Sequence, residues 1–253
     1  MLAFLKKLFS APTSKENLPG GTEGSDRKNR RKTPRQNILD DGFVWLTGVQ
    51  ISPIFVKDLS YGGLSLKSDW DSMKHILKDK RTLKVNLHMF HKHHKCEIMP
   101  IYENNGAVGC SFVHSSPETL LFLRNFLEFL RVGSTMEKVP PHLMERKSID
   151  ENLEIYSSES GTEIIMRRTE NNNLAFFNLS FTDTNIFSQV IFDNGNFKYR
   201  RFNDDDNALL TLEHALFILL GFQEHRKLKL IEPVVDLLQK ELTDRTGAPL
   251  KAV

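Results

Sequence analysis

The sequence predicts a mainly β protein: a small β-barrel closed by a C-terminal helix, followed by an α+β unit made of an antiparallel meander and two helices. Three observations predict it. Short runs with period-2 alternation, such as Leu83, Val85 and Leu87 on one face, recur through the first half between Gly- and Asn-bearing turns. Ser116-Pro117-Glu118 then opens a stretch rich in leucine and phenylalanine at helical spacing. Beyond residue 150, strand-like runs give way to two leucine-periodic segments. At 253 residues the chain exceeds the usual length of one domain, so two domains of moderate size are expected.

Composition bounds the function classes. A hydrophobic share of 40% and a charged share of 26% are those of a soluble globular protein, and no apolar run approaches the length of a membrane span. The two cysteines, Cys96 and Cys110, with no secretory signal before them, read as reduced thiols of a cytoplasmic protein. A formal charge of +2 gives no global pull on nucleic acid polymers; the positive charge is local, between Arg27 and Arg35.

Residues 1–26 are expected to be a flexible segment with a short amphipathic start, Met1 to Phe9, able to make weak contact with a membrane surface or a partner. The runs around Phe43 to Val49 and Ser52 to Asp58 read as the first strands, and Leu64 to Lys67 continues beyond a Gly-Gly turn where backbones approach closely. Residues 68–79 are polar, a loop or one helical turn. Arg81 to His88 and Cys96 to Tyr102 form the next pair of strands, and Asn104-Asn105-Gly106 is a hairpin turn before Ala107 to Val113. In the following helix Ser116 is the N-cap and Pro117 the first helical residue, while Glu118 complements the dipole. Its apolar arc is wide enough to need cover from the barrel and from either the second domain or another subunit, the latter a homodimer. Gly133 is its expected stop, and residues 132–149, with Val139-Pro140-Pro141, its linker. In the unit over residues 150–253, strands are expected at Glu163 to Arg168, Leu174 to Phe181, Ile186 to Phe192 and Phe197 to Phe202, with Asn194-Gly195 the strongest hairpin signal. Helices are expected over Asn207 to Gln223 and Leu228 to Leu242, covering one face of the sheet. Asp204, Asp205 and Asp206 charge the first helix's start.

The chemistry concentrates between Arg27 and Gly63. A run of arginines and lysines, followed by an Asp-x-Ser-x-x-Gly turn, offers guanidinium forks, a carboxylate, a hydroxyl and bare backbone. Together they suit a ligand that is both a polyphosphate and a guanine. Arg31-x-x-x-Arg35, preceded by Arg30, and Asp58-x-Ser60-x-x-Gly63 resemble the two signature motifs of the PilZ domain, a small β-barrel receptor for cyclic di-GMP. The resemblance continues through the alternating strand at Leu83 to Met89 and through Gly109-Cys110-Ser111-Phe112-Val113 before a helix. It covers residues 27–131. Arg27-x-x-x-Arg31 fits the same spacing, so the register is open by one step.

The resemblance implies a binding set of Arg30, Arg31, Arg35, Asp58, Ser60, Gly62 and Gly63. The arginines would fork onto guanine O6 and N7 or stack on a base, Asp58 would accept from a guanine edge, Ser60 would supply a hydroxyl contact, and Gly63 would let ligand and backbone meet. Each bidentate contact contributes roughly 1–3 kcal/mol. It also implies a switch: an arginine arm with no apolar residue to bury is expected to move freely until an anionic ligand folds it over the corner, signalling to a protein partner in motility, biofilm or secretion control. The alternative is a PilZ-like adaptor that binds no nucleotide; a third reading, a barrel binding single-stranded nucleic acid, would want stacking platforms, thinly offered by Trp45, Tyr61 and Phe90.

His88, His91, His93, His94 and Cys96 form a second cluster, but they are expected at a solvated hairpin tip, split between faces by alternation, and no metal or cofactor is expected. No nucleophile turn, phosphate-binding loop or paired-carboxylate spacing occurs, so catalysis is not expected either.

Overall fold

Alternating burial rolls the first sheet into a barrel. The computed structural model describes residues 36–38, 43–48, 53–67, 81–104, 106–140, 142, 152–171, 173–202, 207–226, 229–248 and 250. The first seven strands are β1 (Gln36–Asn37), β2 (Val44–Thr47), β3 (Ile54–Ser60), β4 (Gly63–Lys67), β5 (Leu83–Met89), β6 (Lys92–Asn104) and β7 (Ala107–Ser115). They are hydrogen-bonded in the order β1-β3-β2-β5-β6-β7-β4, and the added pairing of β3 with β4 closes β2 to β7 into a ring, leaving β1 on β3. All the pairings are antiparallel. Val56, Leu64, Leu66, Val85, Leu87 and Ile98 point inward and are fully or almost fully buried. Closure leaves no free sheet edge in the ring. Cys96 and Cys110 are both buried and form no disulfide.

Helix α1 (Pro117–Ser134) starts as its sequence dictates. Ser116 is the N-cap, its Oγ accepting from Thr119 N–H at 3.1 Å, with Pro117 in the first turn and Glu118 at the positive end of the dipole. Gly133 does not stop it; the helix runs on to Ser134 and Thr135 caps it. Gly133 instead lets two helices meet. A Cβ there would strike the Ile218 carbonyl, and one on Gly221 would strike the Leu130 carbonyl, so the two glycines set a close crossing between α1 and α2 (Ala208–Arg226).

The second sheet is a meander in the order β13-β12-β11-β10-β9-β8: β8 (Glu137–Lys138), β9 (Leu153–Ser157), β10 (Glu163–Arg168), β11 (Leu174–Asp183), β12 (Ile186–Asp193) and β13 (Asn196–Arg201). Part of the expected linker is therefore strand: Glu137 pairs with Ser157 and Lys138 with Tyr156. Asn194 and Gly195 both take positive φ, 46° and 86°, the geometry of the tight hairpin turn that Asn-Gly favours. Thr184 and Asn185, at 47° and 66°, make a second turn of this kind. Ile164, Met166, Phe177, Leu179, Phe181 and Val190 line the buried face. Over it lie α2 and α3 (Glu232–Thr246), the latter entered through a 3-10 turn, Lys229–Ile231.

Helix α2 is buried almost all round along Leu212 to Phe222, because it packs on the meander, on α3 and on α1 at once. That triple contact brings barrel and meander into one compact unit, Thr33–Val253, with a single contiguous core. The apolar arc of α1 is covered by the barrel and by α2 of the second half, while Leu120 and Leu121 stay 45% and 60% exposed. Among the described residues no helix is long and apolar enough to cross a membrane.

Candidate functional site

The Asp58-x-Ser60-x-x-Gly63 element lies on the outside of the barrel where β3 turns into β4. Ser60 pairs with Gly63 across a two-residue turn, Tyr61-Gly62. The Ser60 hydroxyl donates to the Gly63 carbonyl at 3.1 Å and is buried, so its proton secures the turn and its lone pairs remain for another donor. The Gly62 carbonyl accepts from Phe112 N–H at 3.1 Å, which fixes the turn against β7. Gly63 has no room for a side chain: a Cβ would strike the Cys110 carbonyl, with Ser111 Cα 3.0 Å away. The close approach expected at this glycine exists, and the backbone that approaches is the protein's own.

Asp58 owes its direction to an irregularity. Between Val56 and Asp58 the β3–β4 register shifts, so Val56 opposes Leu66 and Asp58 opposes Ser65, with Lys57 as the extra residue. Without the bulge, alternation would put Lys57 opposite Ser65. The row continues across the barrel wall, since Ser65 opposes Gly109 and Gly109 opposes Tyr102. The neighbouring row is Ser60, Gly63, Ser111 and Met99. Small residues on β4 and β7 thus form a flat strip with a half-buried carboxylate at one end and a tyrosine ring at the other.

Strand β1 adds the third part. Gln36 opposes Leu59 and Asn37 opposes Asp58, and Ile38 N–H donates to the Lys57 carbonyl at 2.9 Å. The chain just after Arg35 is therefore pinned alongside the strand that carries Asp58 and Ser60. Arg30, Arg31 and Arg35 themselves lie outside the described residues, as do the amphipathic start, residues 68–79 and Asp204 to Asp206.

The histidine cluster divides as alternation requires, but it is not a solvated tip. Only Phe90 and His91 form the β5–β6 turn, because Met89 opposes Lys92. Phe90, at φ 55° and 2% exposed, packs against Phe43, Phe126 and Phe217 with ring centroids 4.8 to 5.5 Å apart. His91 and Lys92 meet the buried Glu213 of α2 at 2.8 and 2.9 Å. Burial alone would raise the Glu213 carboxyl, yet the His91 and Lys92 side chains that reach it hold it below its ordinary value. His88 lies on the outer wall, stacked on Trp45 at 5.0 Å and 2.9 Å from the Thr47 hydroxyl; burial lowers its pKa. His94 is buried beside Phe122, and burial pushes the Cys96 thiol up to about 11. Among the described residues no group of three such side chains is placed to hold a metal ion. Of the three stacking platforms named for a nucleic-acid barrel, Phe90 and Trp45 are buried and only Tyr61 is exposed.

A second buried polar group sits where α2 meets the meander. Asp183 lies 3.2 Å from His214 and 3.4 Å from Arg201, and these neighbours, His214 foremost, hold its carboxyl below the ordinary range. Arg201 also donates to Ser188 at 3.4 Å, and His214 stacks on Phe129 of α1 at 4.1 Å.

No protein-family model matches the chain, and no curated protein matches it. The sequence motif supplied Asp58, Ser60, Gly62 and Gly63. It did not supply Ser65, Gly109 and Tyr102, which join them only through strand register.

Proposed function

We propose that the chain is a PilZ-like receptor for cyclic di-GMP that passes the binding event to a protein partner, and that it is not an enzyme. The observation that carries this reading is the β1–β3 pairing: it tethers the chain one residue after Arg35 beside Leu59, between Asp58 and Ser60. Arg31 is five residues from Gln36, a reach of at most about 18 Å along an extended chain. Guanidinium forks and the acidic corner can therefore share one compact ligand. Arg30, Arg31 and Arg35 would bind guanine and phosphate, Asp58 would accept from a guanine edge, and Ser60 would accept from a donor on the ligand. Gly62 and Gly63 would keep the corner low and close. Closing the arm over the ligand would move the N-terminal segment, and the partner would read that change.

A second reading has one observation in its favour. The Gly63 cleft is filled by the Cys110 carbonyl, so barrel closure alone requires this glycine, and an adaptor that binds no nucleotide would keep it too. Calorimetric titration separates the readings. Wild type should bind cyclic di-GMP in preference to linear and mononucleotide relatives and to a short oligonucleotide, and Arg31→Ala should lose roughly 1–3 kcal/mol. Heat with none of these ligands would leave the adaptor reading.

A further inference from the structure

We propose that Tyr102 is the stacking platform for one base of the ligand, the aromatic end of a site whose polar end is Asp58; this rests on the cyclic dinucleotide reading above. Both ends of the strip are placed by β-bulges. On β3 the extra residue is Lys57, and the shift brings Asp58 onto the row. On β6 the register shifts between Pro100 and Tyr102, so Pro100 opposes Cys110 and Tyr102 opposes Gly109. The extra residue, Ile101, is 58% exposed. Without that bulge, Ile101 would stand opposite Gly109. Two independent irregularities thus put a carboxylate and an aromatic ring at opposite ends of one row, Asp58-Ser65-Gly109-Tyr102, in place of a lysine and an isoleucine.

The ring lies flat where a purine could use it. A Cβ on Gly109 would run into Cε1 and Cζ of Tyr102, so the ring rests over the glycine and leans toward Asp58. Tyr102 is 37% exposed, which leaves part of its surface to a second partner. From Gly109 to Asp58 is two strand spacings, about 10 Å, a distance suited to a ligand carrying two bases: one stacks on the tyrosine while the other presents its edge to the carboxylate. Stacking on a ring is tolerant of base identity, so Tyr102 would supply affinity and Asp58 the choice of guanine.

The competing account is that an aromatic laid over a cross-strand glycine simply covers exposed backbone. Titration of cyclic di-GMP into four folded proteins decides between them: wild type, Y102F, Y102A and G109A, each checked by circular dichroism. Y102F should stay within about twofold of wild type, since the ring remains. Y102A should weaken binding roughly 5- to 150-fold, the range one base on an aromatic ring supplies. G109A should weaken it as well, because the added methyl displaces the ring while keeping its chemistry. If wild type binds and Y102A or G109A binds equally well, the tyrosine only covers the strand and the inference is overturned while the receptor reading stands. If Y102F is as weak as Y102A, the hydroxyl makes the contact and stacking is refuted. If wild type itself does not bind, the receptor reading falls first and this inference with it.

Discussion

Two hairpin tips of the same barrel have opposite fates. The β3–β4 tip, Tyr61-Gly62, stands outward with Tyr61 exposed, and the Ser60–Gly63 pair at its base lies in the row next to the one that ends at Tyr102. The β5–β6 tip, Phe90-His91, is driven into the protein, where Phe90 joins a cluster of rings and His91 and Lys92 close on Glu213. Both are two-residue turns between strands of alternating pattern. The difference lies in what each meets: one meets β7's backbone and solvent, the other the crossing of α1 and α2. A turn's own residues fix its geometry, and distant elements decide whether it stays open to solvent or fastens the fold.

The comparison breaks most visibly at the buried tip. Phe90→Ala should cost about 3–5 kcal/mol in urea unfolding, since it removes a fully buried ring from contacts with Phe43, Phe126 and Phe217. A loss below 1 kcal/mol would mean that the tip fastens nothing. Next comes the ion pair beside it. Glu213→Gln takes away the buried carboxylate that both His91 and Lys92 reach, while Lys92 can swing toward water, so the loss should fall near ~3 kcal/mol. The Glu213 carboxyl is depressed in the folded state, so its stabilisation is complete above the unfolded glutamate value of about 4.3 and disappears as pH falls through the lower folded value. The gap between wild type and Glu213→Gln should therefore narrow as pH falls below about 5. A gap that stays flat down to pH 3 would show that the carboxylate charge contributes nothing.

Local signals and long-range contacts divide what the sequence revealed from what it hid. The alternation of β5, the Ser116-Pro117 start of α1 and the Asn194-Gly195 turn depend on neighbouring residues, and all three are where the pattern puts them. Strand β8 was hidden because Glu137–Lys138 is too short to alternate and owes its state to β9. Gly133 looked like a stop because a glycine near a helix end usually is one; its reason is the backbone of a helix more than eighty residues later in the chain. The Glu213 contact joins residues 121 positions apart, which no spacing rule reaches. In the candidate site, the Asp58-to-Gly63 spacing was legible as a motif. Tyr102 was not, because two bulges change which residue faces which, and bulges leave little mark on a polar-apolar pattern.

The smallest expected change in stability belongs to the outward tip, where it carries the sharpest contrast. Asp58 is half-buried on the outer wall, away from the core, so Asp58→Ala should cost less than about 1 kcal/mol. Its effect should appear with ligand instead. At a hundred times its dissociation constant, cyclic di-GMP would stabilise the wild type by about 2.7 kcal/mol, read as a rise in melting temperature. If the corner binds as proposed, Asp58→Ala should show a much smaller rise at the same concentration, because a guanine edge would have lost its acceptor. Phe90→Ala behaves in the opposite way: it starts far less stable, yet whatever folds should gain as much from the ligand as wild type does. If Asp58→Ala instead unfolds as readily as Phe90→Ala, with or without ligand, then the outward corner is also a fastening, and the division of labour between the two tips does not exist.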